Sequence, residues 1–306
     1  MAKETYLFLL VVGQLALVVL DIVERARSPR RGESPGLLRP ASISFLVGVI
    51  VVYAGLQFGG VALAPSLEEL VGLSQRAVGA LLSNADHGQG IGWAVAVLTG
   101  VGGFYLAGLC DYLFHRFASH SRPLWFTHEN HHLTTDVSAF MPGLCVRPFA
   151  VVAVLPTAAV AIFVVQLILG LAGHNAWAMM PMLYAVALAQ ATILGMTHSA
   201  CLRRCEWLRR LLRPLGITTA QEHWLHHVSD LDCNYGNFVI VWDRVFGTYV
   251  DPRAIDIRKH RAGLGYDQDF LGTLTFGRIK LSESLRRRYQ LGRFCHLAPS
   301  GDLGER

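Results

Sequence analysis

The chain has 306 residues, of which 52% are hydrophobic and only 16% charged, and its mean hydropathy is +0.38. Soluble globular domains carry about 25% charged residues, so the composition excludes an ordinary soluble domain and points to the bilayer. The net charge of +5 is mild, and the uneven placement of the basic residues speaks about membrane orientation more than nucleic acid, which is not expected as a partner.

Tyr6 to Val23 is an apolar run broken only by Gln14 and Asp21. It is about long enough to cross a bilayer. It lacks a small-residue cleavage site, so it reads as a first span and not a signal peptide. Residues 24–41 carry Arg25, Arg27, Arg30, Arg31 and Arg39, with prolines and glycines that make a loop. Residues 43–63 form an uncharged second span. Leu67, Leu70, Leu73, Val78, Leu81 and Leu82 predict a short amphipathic helix on the surface. Residues 91–110 make a third span that runs straight into DYLFHRFASH. Residues 149–171 and 176–196 make a fourth and fifth, joined as a tight hairpin. Beyond them, leucines at helical spacing alternate with Arg203, Arg204, Arg209, Arg210 and Arg213, the pattern of a basic helix held by anionic lipid headgroups. A polar tail follows, with Arg286, Arg287 and Arg288. The six cysteines form no C-x-x-C pair and read as free thiols on a reducing side.

Cytoplasmic loops carry the excess of arginine. The loop after the first span has five arginines and the fourth-to-fifth hairpin has none, so the amino terminus is predicted outside. Counting crossings puts residues 111–148 and everything beyond 197 in the cytosol. The expected fold class is all-α: a multi-span integral membrane protein of about five spans with a cytosolic, histidine-rich, di-metal helical cap. Its regions are membrane spans over 1–110, a catalytic region over 111–250 that includes the 149–196 hairpin, and a polar tail over 251–306. Of the 27 basic residues only Lys3, Lys259 and Lys280 are lysine, which fits a bacterial inner membrane better than the ER.

The chemistry lies in HENHH (His128 to His132) and its echo HWLHH (His223 to His227). Each has histidines at i, i+3 and i+4, positions that share one helical face and can point at one centre. Neutral imidazole is the commonest metal ligand in proteins. Adding His115, His120 and His198 gives nine histidines near the cytosolic ends of spans, too many for one metal and economical for two with open positions. His115 and His120 are five apart, off one face of a regular helix, so they need a helix end between them or serve different metals. Asp111, Glu129 and Glu222 are candidates to hold the second ring nitrogen of a ligand. Phe140, Met141 and Pro142 could line an entry from the membrane. Asp243 and Arg244 read as a structural pair. A histidine-rich metal transporter and a haem-binding membrane protein are the rival classes. Transport sites lie near the bilayer midplane, and bis-histidine haem needs ligands facing each other across a bundle, not clustered triplets.

The set HRFASH, LWFTHENHH, MTHS, EHWLHH and NYGNFVIVWDRVFGTY resembles the fatty acid hydroxylase/sterol desaturase superfamily of membrane di-iron oxygenases, from about Asp111 to Tyr249. The resemblance implies His115, His120, His128, His131, His132, His198, His223, His226 and His227 as ligands of two iron ions. It implies dioxygen as co-substrate and hydroxylation or desaturation of a lipid C–H bond. With no haem, flavin or iron–sulfur motif in the chain, electrons are expected from a separate ferredoxin, or from cytochrome b5 with its reductase. The chain departs from many members in the spacing of the first histidine pair, in Leu133 after the first triplet, and in Arg147 before Pro148.

Overall fold

The computed structural model describes residues 2–27, 66–82, 92–121, 124–132, 137–139, 150–174, 179–228, 232–255 and 262. The expected second span, Arg30, Arg31 and Arg39, Phe140 to Pro142, the side chain of Glu129, and Arg286 to Arg288 lie outside them. The described residues are helical, with no strand and two isolated antiparallel bridges, Ile217 to Val239 and Val228 to Ala262.

Four long helices make the body: α1 (Lys3–Arg27), α3 (Trp93–Phe114), α5 (Ala150–Leu171) and α6 (Met180–His198). A shorter helix, α2 (Leu67–Leu82), lays Val71, Ser74 and Val78 against α5. Its start is capped reciprocally, Glu69 N–H donating to Ser66 Oγ and Ser66 N–H to Glu69 Oε2. Three stretches are long and apolar enough to cross a membrane: Lys3–Glu24, Trp93–Ser119 and Met180–His198. Their outward faces are greasy, with Phe8, Leu15, Val19, Leu98 and Val101 exposed. On a soluble protein such continuous apolar surface is a liability; on a membrane protein it is the lipid face. The third span ends later than expected, because the helix continues through His115–Ser119.

Polar side chains fix the direction of the helices. Lys3 on α1 pairs with Glu68 at the start of α2 (2.6 Å), and Tyr184 near the start of α6 donates to the same carboxylate. Midway, Gln14 donates to Ala191 O, and Gly195 leaves room for it: a Cβ there would sit 2.6 Å from Gln14 Oε1. At the far end of α1, Asp21 meets Ser199, just past the end of α6. So α1 and α6 run parallel. α3 runs with them, since Gly100 faces Met182 while Gly108, nearer its end, faces Val239. All three deliver their C-terminal ends to one end of the bundle.

That end carries four short helices: α4 (Trp125–His132), α7 (Glu206–Leu212), α8 (Ala220–His226) and α9 (Val241–Val245). A small core of Val137, Trp224, Leu225, Val228, Cys233 and Ala262 packs behind α8.

Candidate metal centre

His115 to Ser119 form a π-helical turn, and His120 N–H donates to His115 O (3.1 Å), an i to i+5 bond. This settles the awkward spacing of the first pair. A π turn stacks residues five apart, and such turns are frequent at functional sites. The two rings lie 5.0 Å apart and belong to the same cluster.

The structure brings all nine predicted histidines together, in two adjacent groups: His115, His120, His128, His132 and His226; and His131, His198, His223 and His227. Within each group the potential ligand atoms all lie within 4.8 Å of one another. Each triplet therefore does not point at one centre. His128 and His132 serve the first group while His131 crosses to the second; His223 and His227 serve the second while His226 crosses to the first. Helical geometry explains the split. At about 100° per residue, i and i+4 diverge by about 40°, whereas i+3 and i+4 diverge by about 100°. Two such helices facing each other exchange one ligand each and bind the groups into one unit.

Backbone carbonyls set the tautomers. His115 Nδ1–H donates to Tyr235 O, His226 Nδ1–H to Cys233 O (3.0 Å) and His198 Nδ1–H to Leu194 O (2.7 Å). With the proton on Nδ1, each Nε2 presents a lone pair. Yet His115 Nε2 and His226 Nε2 stand 3.1 Å apart, and His198 Nε2 lies 2.9 Å from His223 Nε2 and 3.2 Å from His131 Nε2. His115 and His226 thus set two buried lone pairs face to face, and these repel unless a cation lies between them. The distances suit one: two nitrogens each about 2.1 Å from an ion, about 90° apart, are about 3.0 Å from each other. His120 Nε2 and His132 Nε2 are also buried without a hydrogen-bond partner. The donor set fits a divalent ion of imidazole preference in each group.

Burial keeps these ligands neutral. It holds His120 down at about 4. Burial first, and the neighbouring imidazoles second, hold His128, His131, His132, His223, His226 and His227 well below the ordinary 6.5. Neutral imidazole is the form that binds metal.

Two carboxylates expected to hold ligand rings do something else. Asp111 accepts from the backbone and side-chain amides of Asn237 (3.0 and 2.9 Å). Glu222 is the inward half of the capping box of α8, accepting from Thr219 N–H and Oγ–H and from Tyr249. Both are tied up by backbone donors that need satisfying at their own positions, so the ring nitrogens go to carbonyls instead. Leu194 O belongs to α6 itself, whereas Cys233 O and Tyr235 O belong to the 232–238 loop, to which the sequence reading assigned no role in orienting ligands. Asp243 holds it, accepting from Tyr235 N–H (2.7 Å), Gly236 N–H (2.8 Å) and Thr248 Oγ–H. Burial pushes its carboxyl up to about 6. Asp243 is thus no partner of Arg244, whose guanidinium lies over Tyr249. Gly236 is required there: a Cβ would fall 2.2 Å from Val239 O. Asn234, at φ 54°, bonds Glu222 O, Val250 O and Val250 N–H through its side chain. The local signal for this loop was NYGN, with its Asn and Gly pair.

Around α7 most of the arginines close on the chain's own groups. Arg204 pairs with Glu24, Arg213 with Asp251, and Arg203 lies over Trp224. Arg209 is buried, with Nε 2.8 Å from Glu206 Oε2. Arg210 remains 76% exposed. Beside it Trp207 and Leu211, and Leu215 in the turn that follows, are exposed, an apolar stripe suited to the membrane surface.

A helical membrane protein with two adjacent clusters of neutral histidines is the class that fold and site define. The family model described as fatty acid hydroxylase matches residues 100–248. Residues 100–248, which hold all nine histidines, are thus a region of the fatty acid hydroxylase family, a family of the sterol desaturase/fatty acid hydroxylase superfamily. Comparison with curated proteins and with solved structures found no match.

Proposed function

We propose that this protein is a membrane-embedded di-iron oxygenase that hydroxylates or desaturates a lipid C–H bond with dioxygen and two electrons. The observation that carries the metal reading is the facing lone pairs of His115 and His226, both fixed by carbonyls. The family supplies the reaction class. His115, His120, His128, His132 and His226 would hold one iron, and His131, His198, His223 and His227 the other. Bound iron supplies the redox chemistry that activates oxygen against an unreactive C–H bond. The chain's own part is to keep nine imidazoles neutral, aim their Nε2 or Nδ1 atoms, and keep water out. His120 and His128 are only part-buried and stand beside Trp125. This is the open side of the five-histidine group, and a lipid chain is presented there.

The reading extends to topology. The Lys3–Glu68 pair puts the start of α1 and the start of α2 at the end of the bundle away from the histidines. The chain therefore leaves α1 at the histidine end and returns at the other before residue 66. A span over 43–63 fits, giving five in all, with the histidine end cytosolic in a bacterial inner membrane. A soluble ferredoxin or cytochrome b5 would dock at that face, with the Arg286 to Arg288 run as its contact.

Purified protein reconstituted with ferrous iron tests the proposal. Two irons per chain, no Soret band, and an oxygen-dependent hydroxylated or unsaturated product in lipid extracts are expected. Metal flux across vesicles without any oxygen-dependent product would sink the oxygenase reading.

A further inference from the structure

The family match begins at residue 100, so α1 lies outside it. Yet α1 carries the best-satisfied buried carboxylate near the site. Asp21 has no exposed surface. Its Oδ1 accepts from Ser199 Oγ–H (2.6 Å) and Cys201 N–H (3.0 Å), and its Oδ2 from Ala200 N–H (3.1 Å) and Ala139 N–H (2.8 Å). Ser199 Oγ in turn accepts from Leu202 N–H. These donors are not scattered. Ser199, Ala200 and Cys201 are the turn that follows the ligand His198 directly. Ala139 lies seven residues after His132, in a buried segment whose Val137 packs on Trp224 and Leu225 of α8. One carboxylate thus ties the turn directly after His198 to the 137–139 segment, which follows the His128–His132 helix in sequence and packs on the helix that carries His223.

An acid in an apolar helix is costly to bury. A neutral side chain would serve if the need were only to pack α1 on α6. Four donors converging from two chain segments need an acceptor with four lone-pair sites, and an ionised carboxylate is the side chain that has them. The four-histidine group needs such a brace more than its neighbour does. His115 and His226 are held from the 232–238 loop, whereas in the four-histidine group His198 alone has a carbonyl on Nδ1; the Nδ1 atoms of His131, His223 and His227 have none.

We infer that Asp21 is the positioning residue of the four-histidine metal group, and that the first membrane helix is part of the metal site. This rests on the two-metal reading above. The test is a cobalt(II) titration of the detergent-solubilised, metal-free full chain, followed by the visible absorption of the bound ion. Wild type should take two equivalents. Asp21→Asn keeps the shape but offers one acceptor oxygen and adds donors where donors already point. It should weaken the second equivalent by about tenfold or more, as loss of a ligand-orienting contact does, and leave the first within about threefold. Ser199→Ala removes one donor without touching the carboxylate and should give a smaller loss confined to the same equivalent. Thiol labelling of Cys201 should quicken in both variants. If wild type binds fewer than two equivalents, the two-metal reading fails and Asp21 is not at issue. If wild type binds two, then equal weakening of both equivalents, or of neither, in Asp21→Asn overturns the inference. Should Asp21→Asn fail to insert, an unchanged second equivalent in Ser199→Ala overturns it instead.

Discussion

The two histidine groups are neighbours that exchange ligands, yet they are built differently. The five-histidine group hangs from the 232–238 loop: Tyr235 O and Cys233 O orient His115 and His226, and Asp243 grips the loop's backbone. Two of its histidines, His120 and His128, stay part-open, and Trp125 and Tyr235 border it. The four-histidine group is fully buried, has one carbonyl-oriented ring, His198, and is braced from the membrane by Asp21. The difference teaches a division of labour. A group with a spare ligand and an open edge suits contact with substrate. A group with no spare ligand, closed on all sides, suits the role of a fixed partner.

What the groups share should give the largest effect. Burial holds their histidines below 6.5 in the folded chain, His120 at about 4. The unfolded chain, near 6.5, binds more protons below that pH. Metal-free protein is therefore fully stable above about pH 6.5 and loses stability as pH falls towards 4, by about 1.4 kcal/mol per unit for each histidine involved. The Tm in detergent should drop steeply between pH 7 and pH 5, and bound metal should blunt the drop. A Tm that ignores pH over this range would mean that the rings are not buried neutral.

Next comes the crossing of ligands. His131→Ala reduces the four-histidine group to three, whereas His132→Ala leaves its own group with four. His131→Ala should weaken one cobalt equivalent by about 100-fold or more, beyond what an orienting contact is worth; His132→Ala should weaken the other by much less. Equal losses from the two variants would erase the asymmetry between the groups. His174→Ala, at the end of α5 away from both, should change neither.

This crossing marks the limit of what the sequence made legible. Nine histidines and their helical placement were readable because ligand chemistry restricts residue type, and because apolar runs declare three of the spans directly. The partition between groups was not readable. It depends on how α4 and α8 face each other, and periodicity along one helix says nothing of its partner. The supporting shell was read wrongly for the same reason. Asp111 and Glu222 are adjacent to ligands in sequence, but their oxygens go to Asn237 and Thr219. Tyr235 O and Cys233 O are backbone atoms, which composition does not reveal. Asp21 was visible only as an interruption of an apolar run. The π turn at His115–Ser119 left the odd spacing of its histidines as its one trace.

Asp243→Asn should mirror Asp21→Asn. It leaves one acceptor oxygen for Tyr235 N–H and Gly236 N–H and sets an NH2 against the other, loosens the two carbonyls, and should weaken the five-histidine group alone by about tenfold. Burial pushes Asp243 up to about 6, so wild-type affinity at that group should fall below about pH 6 while the variant's falls less. Selective loss at the other group would show that the 232–238 loop does not serve the ligands it touches.

The smallest effect separates a brace of one ligand from a brace of a helix. Glu222 closes the capping box of α8, and α8 supplies ligands to both groups. If Glu222 oriented the ring of His223, as its sequence position suggests, Glu222→Gln would weaken the four-histidine group by itself. Its oxygens instead meet Thr219 N–H, Thr219 Oγ–H and Tyr249 O–H. Gln can still accept from the Thr219 backbone, so the cap is impaired and not abolished. The cost should be about 1 kcal/mol of stability, the usual worth of an N-cap. Because both groups lean on the same helix, that loss is shared between them. Cobalt stoichiometry should remain two, both affinities should shift together by less than about fivefold, and Tm should fall by a few degrees. Thr219→Ala, which removes the other half of the box, should behave the same way. A loss confined to one equivalent in either variant would return Glu222 to the role of a ligand-orienting acid.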